Sequence, residues 1–212
     1  MGSALRVVGR SFRDWWDEMF LMVGINLLWA LLAIPVVTFF PALMGVYNLT
    51  YEKAQGRRVE RELFWQGFRR YFGKSWALGA INTVATLLLI VNIWFYLQFP
   101  NWMFYFTIIW VYVLVVWLVM QVYVYPLAIE QEDKSLKTIY LNAFRLALVR
   151  PLFTIVVGLI LLVLEAVSIA IPPLLLLVFV PLAALIGNHA LQEMIAYVQQ
   201  RQEELKKKSE KK

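Results

Sequence analysis

Ile34-Pro35-Val36-Val37-Thr38-Phe39-Phe40-Pro41-Ala42-Leu43-Met44-Gly45 is the stretch on which the fold turns. Two prolines stand six residues apart in an apolar run that carries no charge from Met19 to Tyr51. Either this run is one long kinked helix, or one of the prolines marks a corner between two shorter helices.

The rest of the chain sets the terms for that choice. Of 212 residues, 61% are hydrophobic and only 16% charged, where an ordinary soluble domain carries about 25% charge. Ser75–Ile129 is also free of charge, and Pro151–Gln192 is interrupted only by Glu165. Each run exceeds the ~20 apolar residues that cross a bilayer as a helix. The chain reads as an all-α, polytopic membrane protein. Its first apolar run is far too long for the core of a cleaved leader. With no cysteine, disulfides and thiolate metal sites are excluded.

The net charge of +6 points to the membrane rather than to nucleic acid, because of where the cations lie. Arg6, Arg10 and Arg13 precede the first run. Seven cations from Lys53 to Lys74 separate the first two runs. Lys134, Lys137, Arg145 and Arg150 separate the second and third, and the other six lie beyond Gln200. Short basic segments stay cytoplasmic, so each apolar run is expected to leave and return. The corners are expected at Pro41, at Pro100 and at Pro172-Pro173, since proline lacks an amide donor and disfavours helix just before it. On this reading Pro35 is a kink. The expectation is three hairpins and six crossings, the first hairpin short, with both termini cytoplasmic. The alternative is five spans with the N-terminus outside.

Each hairpin follows an amphipathic segment containing Ser11-Phe12-Arg13, Gly67-Phe68-Arg69 or Ala143-Phe144-Arg145. Their helical periodicity puts aromatics on one face and cations on the other, as in helices lying in a membrane interface. The membrane domain is read as 1–198, in repeat units of about 3–55, 56–125 and 134–198, with a charged cytoplasmic tail at 199–212.

The first 75 residues carry a recognisable order of features. Asn26-Leu27-Leu28-Trp29 is followed by Ile34-Pro35-Val36-Val37-Thr38 and Pro41-Ala42, then by Phe64-Trp65-Gln66-Gly67-Phe68-Arg69-Arg70-Tyr71-Phe72. This order resembles the YesL family of small bacterial integral membrane proteins of unknown function. Phe39-Phe40 here replaces the usual Ile-Gly, and Tyr71 stands where Asn is common. The resemblance implies a bacterial cytoplasmic membrane and an accessory role beside a carbohydrate-uptake transporter, with a permease of the ATP-binding-cassette type as partner. It carries over no catalytic residue and no cofactor.

Polar groups inside apolar runs are the candidate site, because placing them in lipid is costly. Glu165, Asn48 and Asn92 each fall about 10–12 Å from an expected outer corner at 1.5 Å per residue, so one polar layer is expected there, joined by Tyr47 and Thr107. A second layer nearer the cytoplasm would contain Asn26, Asn82, Gln121, Asn188 and His189. The plainer reading is interhelical hydrogen bonding that fixes packing. Glu165 is expected to be neutral or hydrogen-bonded by the asparagines, with no cation at its depth. His189 and Glu193 have metal-ligand spacing, but one histidine and no cysteine complete no ligand set. No phosphate loop, nucleophile elbow or close acid pair is present. The chain therefore reads as non-enzymatic and accessory, in contact with the bilayer and with anionic lipid at its basic segments. A small transporter or channel built around Glu165 is the alternative.

Overall fold

The computed structural model describes residues 2–131 and 135–209, so Lys134, Lys211 and Lys212 lie outside the described residues. The described residues are helical with no strand. The helices are α1 (Gly2–Asp17), α2 (Met19–Ala33), α3 (Phe39–Ala54), α4 (Arg61–Arg70), α5 (Phe72–Leu97), α6 (Phe106–Glu130), α7 (Leu136–Val149), α8 (Pro151–Ala170) and α9 (Pro172–Ser209).

Four of these, α5, α6, α8 and α9, are long and apolar enough to cross a membrane, and the bent pair α1–α2 would make a fifth if it were a single span. The four long helices form two hairpins in register. Tyr96 of α5 meets Phe106 and Trp110 of α6, and Trp117 of α6 donates to Thr86 of α5. Tyr123 of α6 is bonded to Thr154 of α8, and Arg150 at the start of α8 lies over Tyr197 of α9. The corners at Phe99–Asn101 and at Ile171 therefore gather at one end of the bundle. The α9 helix is central, with 61% of its apolar window buried against 11% for α5.

The first unit does not supply two helices long enough for the expected six crossings. Helices α2 and α3 have 15 and 16 residues, or ~22 and ~24 Å at 1.5 Å per residue, against a hydrocarbon core of ~30 Å. The corner between them is also not where it was expected. It falls at Ile34–Thr38, where Pro35 takes φ −82° and ψ 87° and caps a 3-10 turn over Val36–Thr38. Pro41 sits inside the first turn of α3. The reason is positional. The first amides of a helix have no partner within it, so a proline there loses no bond and its fixed φ suits the helix.

Nor does this corner reach the far end of the bundle. The Val37 carbonyl accepts from the Trp76 indole, only four residues into α5. Phe40 packs against Gly79 of α5, while Tyr47 stacks on Tyr125 of α6, whose hydroxyl accepts from Asn82, three residues beyond Gly79. Phe40 and Tyr47 are ~10 Å apart along α3 yet meet the α5–α6 hairpin at one height. Helix α3 is thus a crosspiece laid over the near halves of the long helices. A cysteine at Val37 is expected to react from the same side of the membrane as one at Arg58. Labelling of the two from opposite sides would restore the six-crossing arrangement.

Three glycines let the crosspiece seat. A Cβ on Gly67 would lie 2.4 Å from the Asn48 Cβ, and one on Gly45 would lie 2.8 Å from the Phe64 carbonyl and ring. A Cβ on Gly79 would fall inside the Phe40 ring contact. Helix α1 turns by 92° into α2. It packs on α9 through Ala4, Val7, Ser11 and Trp15, which are buried, and leaves Leu5, Phe12 and Trp16 exposed. Its apolar surface is therefore split. The small Ala4 and Ser11 allow close approach to α9, while the larger side chains face outward as an interfacial helix requires.

Candidate functional site

The polar residues of the apolar runs divide into two kinds, and the division differs from the two expected layers. Asn48, Asn92 and Glu165 are not brought together. Asn48 donates to the Leu63 carbonyl at 2.8 Å and ties α3 to α4. Asn92 bonds to Leu88 of its own helix at 2.7 Å. Glu165 is exposed on the outer side of α8, while Ser168, three residues on, is buried. Thr107 is buried and has no hydrogen-bond partner among the described residues, and Tyr47 belongs with the other group.

The second group is partly assembled. Asn188 of α9 donates to the Thr50 hydroxyl at 3.0 Å and to the Tyr47 carbonyl at 3.3 Å. The Tyr47 ring stacks on Tyr125, with centroids 5.2 Å apart. Asn82 donates to the Tyr125 hydroxyl at 3.5 Å and accepts from Tyr140 of α7 at 2.6 Å. Tyr140 in turn stacks on Trp117 at 5.8 Å. One chain of rings and amides thereby joins α9, α3, α6, α5 and α7. Beside Asn188, His189 meets Asp14 of α1 at 2.7 Å, and Glu193 lies 4.0 Å from Arg6. The histidine and the glutamate are thus spent on α1 separately. Gln121 stands apart, with both side-chain polar atoms buried and unpartnered among the described residues.

At the foot of the crosspiece, Tyr51 is hydrogen-bonded to Glu130 at the end of α6. Burial first, and then that carboxylate, push the phenol up to about 12, so it stays a donor at neutral pH. Lys53 reaches Glu18 at the α1–α2 bend, 3.3 Å away. Around them opens a cleft of about 410 Å³ lined by Arg10, Arg13, Asp14, Asp17, Lys53 and His189 among others. Its charges are of both signs.

Asn26 occupies a separate and more exacting position. Fully buried, it donates to the Leu175 carbonyl at 2.8 Å and accepts from the Val180 amide at 3.2 Å. These groups bracket Leu175–Phe179, a π-helical stretch in α9. An extra residue in a turn displaces backbone groups from their α-helical partners and opens the helix to an inserted side chain. Asn26 offers one donor and one acceptor to that opening.

Sequence reasoning missed Tyr125, Tyr140 and Thr50. For Tyr125 the available signal was chemical: a tyrosine deep in an apolar run must find a partner for its hydroxyl, and asparagines supply one. Tyr140→Phe removes the 2.6 Å bond to Asn82 and is expected to lower stability in detergent by about 1 kcal/mol, read from the thermal midpoint.

A family model described as "Protein of unknown function, DUF624" matches residues 22–93, which takes in most of α2, the Ile34–Thr38 corner, the crosspiece, α4 and most of α5. No curated protein and no solved structure matches the chain.

Proposed function

We propose that this protein is a non-enzymatic accessory subunit of a bacterial membrane complex, with the permease of a carbohydrate-uptake transporter as partner. The observation that carries the reading is how the interior polar groups are used. Asn26, Asn48, Asn82 and Asn188 are all hydrogen-bonded to neighbouring helices, and the one carboxylate in the apolar part of α8 points outward. Polar groups that fix packing while leaving the surface free describe a docking body better than a solute path. The YesL-like order of features in residues 10–80 supports a transporter as the thing docked on.

In this proposal α5, α6, α8 and α9 are the crossings. That keeps all four basic segments and both termini on the cytoplasmic side, in keeping with the charge rule. The arginines of α1 and α4 then lie at the level of anionic headgroups. Purification of the tagged chain from native membranes in mild detergent tests the proposal. Co-elution of a transporter permease is expected. A partner-free protein that moves solute in liposomes would replace the reading with transport.

A further inference from the structure

Helices α6 and α8 leave an apolar groove of about 150 Å³ on the outer face of the bundle, with Val115 and Val119 on one wall, Leu162 on the other and Gly158 at its floor. Tyr112 follows the stripe of Val115 and Val119 on α6, and Glu165 follows that of Gly158 and Leu162 on α8, by the i, i+3, i+7 spacing of a helix face. The register of the two helices, fixed by Tyr123 against Thr154 and by Val119 against Gly158, brings Tyr112 and Glu165 to one height. Each lies ~8–9 Å inside the far end of its helix at 1.5 Å per residue. Tyr112 is 68% exposed and Glu165 is also exposed. Neither hydrogen-bonds to another described residue.

A carboxylate facing hydrocarbon without a donor is costly, and acyl chains supply none. A second copy of this chain does. We infer that two copies pair through the α6–α8 groove, about a two-fold axis along the membrane normal, with Glu165 of each accepting from Tyr112 of the other. Such an axis preserves depth, so groups at one height in one copy meet groups at the same height in the next. It also makes the contact self-complementary, one residue pair being used twice. Gly158 bears on the groove within one copy, since its Cβ position faces Val119 and Val122 of α6 at 3.9 and 4.0 Å, and the small residue leaves the floor between the two helices low. The inference goes beyond the accessory role and does not depend on it.

The test is stoichiometry by single-molecule photobleaching of the full-length protein in phosphatidylcholine–phosphatidylglycerol bilayers at graded protein density. The wild type is expected to dimerise. Tyr112→Phe and Glu165→Ala are each expected to weaken dimerisation about thirtyfold, since either removes both symmetric bonds. The double variant should be no weaker than the singles, and Glu165→Gln, which keeps an acceptor, should retain most of the affinity. A mixture of Tyr112→Cys and Glu165→Cys chains, otherwise free of cysteine, should crosslink between copies and guards against a variant that fails to fold. The inference is overturned by single bleaching steps at every density, or by a dimer indifferent to Tyr112→Phe. It is equally overturned if the cysteine at Glu165 crosslinks in native membranes only to a different polypeptide.

Discussion

Gly67→Ala is expected to lower stability by about 3 kcal/mol, the upper end for overpacking, and to shift the thermal midpoint in detergent downward accordingly. The new methyl would stand 2.4 Å from the Asn48 Cβ and 3.0 Å from the Met44 carbonyl. Neither atom is the free end of a flexible side chain, so α4 must lift from α3. That movement also stretches the 2.8 Å bond from Asn48 to Leu63. Gly73→Ala is the control, since nothing lies within 4 Å of its Cβ position. There, in a helix, alanine is expected to stabilise by about 0.5–1 kcal/mol. Equal effects from the two substitutions would mean that α4 does not sit against the crosspiece as described.

The second large effect is expected at Asn26. Asn26→Leu keeps the branched shape, in a somewhat larger side chain, but removes both the donor to Leu175 and the acceptor for Val180. Burying two backbone groups without those partners is expected to cost about 1–3 kcal/mol. Hydrogen exchange localises the effect: the Val180 amide and its neighbours in the π-helical stretch should lose protection, while the amides around Asn82 should not. Asn26→Ser, which retains some hydrogen-bonding capacity in less volume, should fall between. Unchanged protection at Val180 would detach Asn26 from the helix it is seen to brace.

How much of this was readable from the chain alone depends on the kind of signal. The all-helical class, with helices long and apolar enough to cross a membrane, and two of the corners were legible, because long uncharged runs broken at Phe99-Pro100-Asn101 and Ile171-Pro172-Pro173 leave few alternatives. The first corner was not. Pro35 and Pro41 carry the same chemistry, and only a proline's place within a helix decides whether it opens that helix or breaks it. The crosspiece was hidden for a different reason. Its evidence lies in Gly45, Gly67 and Gly79, and a glycine acquires meaning only when the atom facing it is known. Among the polar residues, Asn82 and Asn188 were legible as interior groups, since an amide in an apolar run must be satisfied. Counting along a helix gives the depth of Glu165 and so suggests an interior layer. Which way it faces depends on packing, and Ser168, not Glu165, is the residue turned inward. Asn26 was placed among the inner amides by the same counting, but its partner, a widened turn in a helix 149 residues away, leaves no mark in the sequence.

The last helix has a mechanical consequence. Its 38 residues make a rod of ~57 Å at 1.5 Å per residue, roughly twice the ~30 Å hydrocarbon thickness of a bilayer. From Val180 to Ser209 it runs without interruption, and its protruding end carries Lys206, Lys207 and Lys208. One continuous helix thus leads from that basic handle to the far end of the shaft, where the widened turn is gripped by Asn26.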